Sequence, residues 1–534
     1  MSSDKVIKTD VLVIGSGMAG CTVALGLAEE KINVALVTRS QDMEETNTKY
    51  AQGGIIYKGK GDPMLLEKDI LKAGNGVSDK NAVKILAREG PINVENVLIK
   101  KLGVKFTKDE KGNLHLTKEA AHSCRRILHA ADQTGKEIEQ AFINKLKENP
   151  FIKIYTNHTL IDLLTSPYHL NKAEIPDYRE FAIPKKTTCV GAYMLDNTSQ
   201  KVKSFIAKKI VLATGGVGQL FLRTCNSEIA RGDGLVAAER AGAKIINAEF
   251  IQFHPTSLYH QDISNFLVTE AMRGEGAQLK NKKGELFMNK YDKRGSLAPR
   301  DIVTRGIFEE MLKEKSPHVF LDAASYISTK KIKKRFPNIY KTCLEYGIDV
   351  TKKPIPVAPT AHYFCGGVKV DEFSRTNINN LYAVGEVSCT GVHGANRLAS
   401  TSLLECLVWG VRCAKHITSS INKSKLINER LVLPWVYTHK ITKIDPALIW
   451  QDWTLIKLIM WNYVGIIRTR KRLQRATEDL LHLKKEIDQF YHGVFISDEL
   501  IGLRNGVSAA LILAKAALKN NKSIGCHFIK KDYF

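Results

Sequence analysis

Apolar residues follow two kinds of pattern along this 534-residue chain. Val11 to Ile14 form a continuous apolar run of the kind found in a buried parallel strand. Similar runs occur in KKIVLATGG at 208–216 and at Leu381–Val384, and each of them ends in a glycine turn. Around 447–520 apolar residues instead recur at helical spacing. The patterns predict an α/β protein whose chain ends in a helical region.

The first apolar strand leads directly into the sequence GSGMAG. Gly15, Gly17 and Gly20 fill the pattern G-x-G-x-x-G between this strand and a predicted helix. In that setting the first glycine permits a tight turn, the second lets a pyrophosphate approach the backbone, and the third lets helix pack on strand. The helix N-terminus would then face the phosphates with its positive dipole end. The motif predicts dinucleotide binding; the alternative is a glycine turn without a ligand.

Other positions extend this prediction. The second strand ends at Val37 without the usual acidic residue, so Thr38 and Arg39 become weaker candidates for contacting the adenosine half. Glu386, after the strand at Leu381–Val384, could hold a ribitol or ribose hydroxyl. Ser402 and Leu403 are predicted to open a helix whose N-terminal amides would stabilise charge on a reduced flavin. We therefore expect a flavin, and a chain that returns to its first domain after a long insertion.

Composition narrows the class of protein. The length suits two or three domains, and 44% hydrophobic with 25% charged residues is ordinary for a globular chain. The ten cysteines are scattered without a Cys-x-x-Cys pair, which argues against zinc ribbons, Cys-ligated clusters and a disulfide framework. We predict no metal site, a reducing compartment and hence a cytoplasmic location.

Neither a signal-peptide core nor an apolar run of about 18 residues is visible in the sequence, so we expect no membrane span. The nearest candidate, WTLIKLIMWNYVGII at 453–467, is interrupted by Lys457 and Asn462 and is predicted to be a buried helix.

The formal net charge is +24, from 79 basic and 55 acidic residues. Such an excess fits either a nucleic-acid or membrane surface, or a solvated lysine-rich surface. The lysines occur as scattered pairs without a basic tail, so we favour the second interpretation and expect no nucleic-acid partner. The charge could still steer an anionic substrate.

A series of longer motifs carries a family resemblance over nearly the whole chain. These are TNTKYAQGGI, ATGG, GDG, EFIQFHPT, TEAMRGEGA, LAPRDIVTR, PTAHYFCGGV and YAVGEVSCTGVHGANRLASTSLLE. In this order they resemble the fumarate reductase and succinate dehydrogenase flavoprotein superfamily. Within it, HSCRRILHAADQTG and YAQGGI are most similar to L-aspartate oxidases. The resemblance implies a Rossmann-like FAD-binding domain in two pieces (1–247 and 363–425), an inserted α+β capping domain (248–362) and a C-terminal helical domain (426–534).

The resemblance also implies which residues contact FAD. They are Gly15, Ser16, Gly17, Met18, Ala19, Gly20, Thr38, Arg39, Thr46, Asn47, Thr48, Ala51, Gln52, Gly53, Gly54, Asp233, Glu386, Ser402 and Leu403. Respiratory members attach FAD covalently through a histidine ahead of the AQGG turn, where this chain has Asn47, so we expect non-covalent FAD. The superfamily's tail motif Ser-Arg-Gly-x-His has Ile524 in place of its arginine here.

The substrate residues are implied in the same way. His254, Thr269, His362 and Arg397, with Ser400 assisting, would bind carboxylates, and Arg300 would be the catalytic residue. The alternative for the histidines is a hydrogen-bonded core position, and for Arg300 an ion pair at a helix start. Because arginine hardly ever deprotonates, Arg300 would mainly hold a carboxylate during amino-acid oxidation rather than supply a proton.

Glu119 stands out in the basic segment LTKEAAHSCRRILHAADQTG. A carboxylate would repel a dicarboxylate unless the substrate also carries a positive charge, as L-aspartate does. The resemblance implies that Glu119 orients this ammonium group; the alternative is a capping or surface acid.

The activity that the resemblance implies is FAD-dependent oxidation of L-aspartate to iminoaspartate, with oxygen or fumarate as acceptor. A quinolinate synthase would be the metabolic partner, in the first step of NAD synthesis. The alternatives are a soluble fumarate reductase or a succinate dehydrogenase flavoprotein subunit, and, from another class, a nucleic-acid-binding flavoprotein.

Overall fold

A computed structural model describes residues 6–166, 168–170, 187–263, 266–436 and 445–530. The strands are β1 (Val6–Ile14), β2 (Val34–Val37), β3 (Ile55–Ile56), β4 (Leu116–Thr117), β5 (Ile127–Leu128), β6 (Ile152–Tyr155), β7 (His158–Thr165), β8 (Cys189–Asp196), β9 (Lys201–Leu212), β10 (Ile245–Ile246), β11 (Ile251–Leu258), β12 (Gln278–Lys280), β13 (Val319–Asp322), β14 (Ile355–Phe364), β15 (Gly367–Lys369), β16 (Leu381–Ala383) and β17 (Ser388–Cys389).

The α-helices are α1 (Met18–Glu29), α2 (Met64–Ala73), α3 (Lys80–Asn93), α4 (Thr134–Lys147), α5 (Asp233–Arg240), α6 (Glu270–Gly274), α7 (Arg300–Lys313), α8 (Thr329–Arg335), α9 (Pro337–Glu345), α10 (Ser402–Ser420), α11 (Pro446–Tyr463), α12 (Arg470–Tyr491) and α13 (Asp498–Lys519). A π-helical stretch, Val94–Lys101, continues α3.

The main sheet has β1 near its centre. β1 pairs in parallel with β2 on one side and with β9 on the other, and β2 pairs in parallel with β6. β9 also pairs in parallel with β16, although β16 follows it by more than a hundred residues of chain. β8 and β7 extend the sheet with antiparallel pairs. The predicted Rossmann-like fold, completed by a second sequence piece, is therefore confirmed.

The glycine turn between β1 and α1 allows no side chain at two of its positions. A Cβ on Gly15, whose φ is +118°, would lie 2.1 Å from the carbonyl oxygen of Ala213. A Cβ on Gly20 would lie 1.9 Å from the carbonyl oxygen of Gly15. Both distances are far below van der Waals contact, so these glycines are needed for the close packing of strand, turn and helix.

The inserted region has its own antiparallel sheet, in the order β11-β14-β13-β12, and its own apolar core. β11 carries His254, β14 carries His362, and α7 begins at Arg300. The inserted region therefore presents these three side chains towards the FAD-binding fold. The residue numbers predicted for the domain boundaries stay predictions.

The last part of the chain is helical, as the pattern predicted. α13 is long and apolar enough to cross a membrane by length and composition, but 72% of its most apolar window is buried against the rest of the protein. α11 covers only part of the segment predicted as a buried helix: it ends at Tyr463, and one face is buried while Leu455 and Leu458 are each 39% exposed. The tail that contains Ile524 packs beside Ala395, whose carbonyl accepts from the Cys526 amide at 2.9 Å.

Candidate active site

One continuous cavity runs from the glycine turn to the capping sheet. Nearly every predicted site residue lines it: Gly15, Ser16, Gly17, Met18, Ala19, Thr38, Arg39, Thr46, Asn47, Thr48, Ala51, Gln52, Gly53, Gly54, Glu119, Asp233, His254, Thr269, Arg300, His362, Glu386, Arg397, Ser400, Ser402 and Leu403. Gly20 is the exception, because it faces the carbonyl of Gly15 inside the turn. Residues from widely separated positions thus share one cavity.

The end of the cavity near α1 suits a dinucleotide. Three buried polar atoms on its wall, Gln52 Oε1, Thr214 Oγ1 and Asn226 Oδ1, have no hydrogen-bond partner among the described residues. Buried polar atoms are nearly always paired in folded proteins, so these atoms indicate a missing polar ligand. Together with the crowded glycine turn and the N-terminus of α1, they fit the ribitol, pyrophosphate and ring polar groups of FAD.

A buried carboxyl group lies behind this end. Thr46 Oγ1 donates to Glu139 Oε1 at 2.6 Å, and the Thr48 amide donates to Thr46 Oγ1 at 3.1 Å. Burial raises the pKa of Glu139 to about 8, so the group is mainly neutral at pH 7. A neutral acid avoids placing a negative charge behind the wall that would face a pyrophosphate.

Thr38 and Arg39 lie at the edge of the cavity. Ser16 Oγ donates to Thr38 Oγ1 at 3.0 Å. Arg39 donates from Nε and Nη2 to the two carboxylate oxygens of Asp498 at 2.9 and 2.7 Å, and so ties β2 to the start of α13. A contact between Arg39 and adenosine therefore stays a prediction, since the guanidinium is already paired.

Asn47, the position where the family resemblance implies a covalently linked histidine in respiratory members, is held by two hydrogen bonds. Its Oδ1 accepts from the Ser227 amide at 2.9 Å, and its Nδ2 donates to Glu386 Oε2 at 3.3 Å. Burial raises the pKa of Glu386 to about 7, although the Phe364 amide donates to its Oε1 at 2.8 Å. An amide held from both sides offers no nucleophile for a bond to the flavin.

The other end of the cavity gathers cationic and imidazole groups. Arg397 Nη2 donates to His362 Nε2 at 2.8 Å, and Arg397 Nη1 donates to Ser402 Oγ at 2.8 Å. The rings of His254 and His362 lie 5.1 Å apart. Burial, together with Arg300 and Arg397, holds the pKa of both histidines well below the ordinary value, so they are neutral. His254 Nε2 and Arg397 Nε have no partner among the described residues, as expected for groups that await an anion.

Arg300 is the first residue of α7 and also lines the cavity. Its Nε donates to Glu270 Oε2 at 2.5 Å, and its Nη1 donates to Gln252 Oε1 at 3.2 Å. Burial alone would raise the pKa of Glu270, but Arg300 and Arg273 outweigh it, and the pKa lies below its ordinary value. Sequence reasoning named Thr269 and passed over the adjacent Glu270, although both stand in TEAMRGEGA.

Glu119 is 3% exposed, which excludes a surface acid. Ser400 Oγ donates to Glu119 Oε2 at 2.7 Å. Burial and the nearby Glu270 raise the pKa of Glu119, with Arg300 acting in the opposite direction. Thr269 caps α6, accepting from the Ala271 amide at 3.3 Å. The cavity thus places two carboxylates beside the cationic groups: Glu270, which is paired with Arg300, and Glu119, which accepts from Ser400.

Several lining residues carried no signal that sequence reasoning recognised. They are Thr214, Cys225, Asn226 and Tyr363. Thr214 and Tyr363 stand within the quoted motifs ATGG and PTAHYFCGGV, while Cys225 and Asn226 lie in the loop before GDG. Tyr363 supports Arg397, whose guanidinium lies 4.5 Å from the centre of its ring.

Comparison with known families and proteins agrees with this geometry. Residues 10–403 match the family described as an FAD binding domain, and residues 454–533 match the fumarate reductase flavoprotein C-terminal family. The L-aspartate oxidase of Yersinia pestis is 42% identical over 535 aligned positions, covering 99% of this chain and 97% of that protein. The chain belongs to the L-aspartate oxidase family. The predicted resemblance and the FAD cofactor are thereby confirmed.

L-Aspartate oxidases of other organisms are similarly related. The protein of Acinetobacter baylyi is 43% identical, with 97% of this chain and 92% of that protein covered. The chloroplastic L-aspartate oxidase of Arabidopsis thaliana is 38% identical, with 97% and 80% covered. All three of these relatives are L-aspartate oxidases, which are amino-acid oxidoreductases. The chain therefore belongs to the amino-acid oxidoreductase branch of the superfamily.

Solved structures share the architecture. The FrdA chain of quinol fumarate reductase from E. coli aligns with a TM-score of 0.86 at 25% identity, covering 98% of this chain and 92% of that chain. The Sdh1 complex of Mycobacterium smegmatis aligns with a TM-score of 0.78 at 28% identity, covering 98% and 89%. The two-piece α/β fold with its inserted region and C-terminal helices is thus the fold of this superfamily.

Proposed function

We propose that this protein oxidises L-aspartate to iminoaspartate, and that the substrate occupies the end of the cavity between Arg300, Arg397 and Glu119. FAD, when bound, supplies the redox chemistry by accepting the hydride from Cα. The observation that carries the proposal is Glu119, a buried carboxylate that forms no salt bridge among the described residues, in a site that also holds arginine, neutral histidine and the Arg300-paired Glu270. That combination matches a dicarboxylate that also bears an ammonium group.

The two carboxylates of the substrate would pair with the two arginines. Arginine suits this task because its planar fork binds a carboxylate through two parallel hydrogen bonds. Arg397 has an unpartnered Nε, and His254 has an unpartnered Nε2. We assign His254, His362, Thr269 and Arg397 to carboxylate binding, with Ser400 holding Glu119 in place.

Arg300 is assigned to binding and polarising a carboxylate rather than to releasing a proton. Its Nε donates to Glu270 Oε2, and an arginine guanidinium hardly ever releases a proton in proteins. The ammonium group of bound L-aspartate must first release one proton to water in the cavity, because only the neutral amine has a lone pair that assists departure of the hydride. Arg300 contributes by fixing the carbon skeleton so that Cα faces the flavin end of the cavity.

Glu119 would distinguish L-aspartate from succinate. With succinate bound, the buried carboxylate faces a methylene group and loses its charged partner. Leaving a buried polar group unpaired costs about 1–3 kcal/mol, and more for a charged group. Glu119 therefore selects substrate by penalising the analogue that lacks the amine.

The reduced enzyme would return its electrons to oxygen, giving hydrogen peroxide, or to fumarate, giving succinate. Fumarate is a four-carbon dicarboxylate that can pair with the same two arginines, although, like succinate, it leaves Glu119 without a charged partner. Iminoaspartate hydrolyses readily, so we expect prompt consumption by a quinolinate synthase in NAD synthesis. We further propose a cytoplasmic location, which the ten free cysteines support.

The direct test is to mix the FAD-loaded protein with L-aspartate under anaerobic conditions and follow flavin absorbance, with succinate as the parallel sample. Bleaching by L-aspartate and none by succinate is the expected result. Bleaching by succinate alone would contradict the proposal and move the protein to fumarate reduction. Adding oxygen or fumarate to the bleached enzyme then identifies the acceptor, because only a competent acceptor restores the absorbance.

A further inference from the structure

Cys225 contacts one of the assigned substrate-binding histidines from behind. Its Sγ lies 3.0 Å from His362 Nδ1, and the opposite ring nitrogen, Nε2, lies 2.8 Å from Arg397 Nη2. The Cys225 side chain is buried, and the neighbouring residue Thr224 pairs with Ala361 as an isolated β-bridge. The His362 ring is therefore held at both nitrogens, on one side by a guanidinium and on the other by a thiol.

The positions of the protons follow from what each group can donate. A guanidinium only donates, so His362 Nε2 must accept, and a neutral imidazole then carries its proton on Nδ1. Nδ1–H donates to Cys225 Sγ, and the thiol proton is left to donate to the Ala361 carbonyl, 3.5 Å from Sγ. Burial raises the pKa of Cys225 to about 11, so the thiol keeps its proton at neutral pH.

When substrate is bound, the other ring nitrogen of His362 must carry the proton. A carboxylate that pairs with Arg397 draws the guanidinium N–H away from His362 Nε2. To bind the same carboxylate, Nε2 must then carry a proton, and Nδ1 must accept one. The imidazole keeps a single proton throughout: it leaves Nδ1 for water in the open cavity, and Nε2 takes one from that water. The thiol completes the change by turning its S–H from Ala361 to Nδ1.

We propose that Cys225 is a positioning residue that lets His362 change tautomer between the free and the substrate-bound site, by accepting a hydrogen bond in one state and donating it in the other. The inference rests on the proposed role of His362 in carboxylate binding. A side chain that accepts and donates can serve both states, so serine can replace cysteine. Alanine can serve neither state, and it leaves only cavity water as a partner for Nδ1.

The test compares Cys225→Ala, Cys225→Ser and His362→Ala in the FAD-loaded enzyme. Cys225→Ala is expected to raise KM for L-aspartate about tenfold, as for one lost buried hydrogen bond, with kcat changed less than about threefold. Cys225→Ser is expected to keep KM within about threefold of the unmodified enzyme. An unchanged KM in Cys225→Ala, or equal impairment in the alanine and serine variants, would overturn the inference.

His362→Ala separates this inference from the proposed function. A raised KM in His362→Ala with an unaffected Cys225→Ala removes only the role of Cys225. An unaffected His362→Ala removes the carboxylate-binding role and the inference with it. Infrared difference spectra supply an independent readout: the S–H stretching band that is missing in Cys225→Ser should shift when the enzyme is saturated with succinate. A band that stays in place would count against any change of hydrogen-bond partner.

Discussion

The two ends of the cavity are built in different ways. The FAD end is formed largely by backbone and small side chains from two short segments, Gly15–Ala19 and Thr46–Gly54. The substrate end is formed by charged and imidazole side chains that come from distant parts of the chain, including Glu119, Arg300 and Arg397. Binding at the FAD end depends mainly on the space between backbone groups. Binding at the substrate end depends mainly on the pairing of buried charges.

This difference predicts different kinds of damage. A change of volume at the FAD end should weaken cofactor binding while the substrate groups stay intact. Loss of a charge at the substrate end should leave a buried partner unpaired, which typically costs about 3–5 kcal/mol. The predictions below test this separation.

The largest effect is expected for Arg300→Ala. It removes a carboxylate-binding group and leaves Glu270 buried without its nearest cation, so kcat/KM for L-aspartate should fall about a thousandfold or more. FAD affinity, measured by flavin fluorescence, should change little. Arg294→Ala, which removes an exposed guanidinium paired with Asp292, is the matched control and should stay within about twofold. Similar losses in both variants would show that positive charge in general, rather than this residue, is needed.

The next effect is expected for Gly17→Ala. A Cβ here would lie 3.4 Å from Thr48 Oγ1, an ordinary contact, so the FAD-free protein should keep its Tm. The methyl group would occupy space needed by the pyrophosphate, and the FAD dissociation constant should rise about a hundredfold. Gly20→Ala should instead lower Tm even without FAD, because its Cβ would collide with the turn itself. The same change in the Tm of the FAD-free protein for Gly17→Ala and Gly20→Ala would contradict this difference between the two glycines.

A pH-dependent effect of intermediate size is expected for Glu139→Gln. The folded carboxyl group, with a pKa of about 8, holds a proton that the unfolded group releases near 4.5, the ordinary pKa of a glutamate. Its contribution to the free energy of unfolding is therefore greatest below pH 4.5 and is lost as the pH rises towards 8. Glutamine has no such loss, so between pH 5 and about 9 the free energy of unfolding of the variant should rise relative to that of the unmodified protein by about 4 kcal/mol. Chemical denaturation at both pH values measures the difference, and a constant gap would contradict it.

The smallest effect on the cofactor is expected for Arg39→Met. Because its guanidinium is paired with Asp498, the FAD dissociation constant should change less than about threefold, while Tm should fall through loss of the link to α13. A large loss of FAD affinity with an unchanged Tm would instead support the predicted contact with adenosine.

Local patterns allowed much of the FAD end to be predicted. The apolar strand, the glycine turn and α1 follow one another within thirty residues, and α10 begins at Ser402 as predicted. Each of these features depends on neighbours in sequence, which a pattern records directly. The helical C-terminal region was predicted for the same reason.

The substrate end required more than local pattern. Glu119 and Ser400 are 281 residues apart, and Arg39 and Asp498 are 459 residues apart, so neither contact could be derived from spacing. Family motifs identified the residues but not their partners: Glu270 was missed beside Thr269, and Cys225 was missed behind His362. The segment 453–467 was predicted to be a buried helix, whereas only one face of α11 is buried, because composition does not show which face meets the core.

Glu119 is proposed to bind the ammonium group of L-aspartate and so to select this substrate over succinate. The most direct test measures kcat/KM for L-aspartate and for succinate in Glu119→Gln, with Glu110→Gln, a change at an exposed acid, as the control. Glutamine cannot supply the charged partner and tolerates a methylene group better. We predict that the preference for L-aspartate over succinate falls about tenfold or more in Glu119→Gln and is unchanged in Glu110→Gln. A Glu119→Gln enzyme that keeps its full preference for L-aspartate would contradict the account.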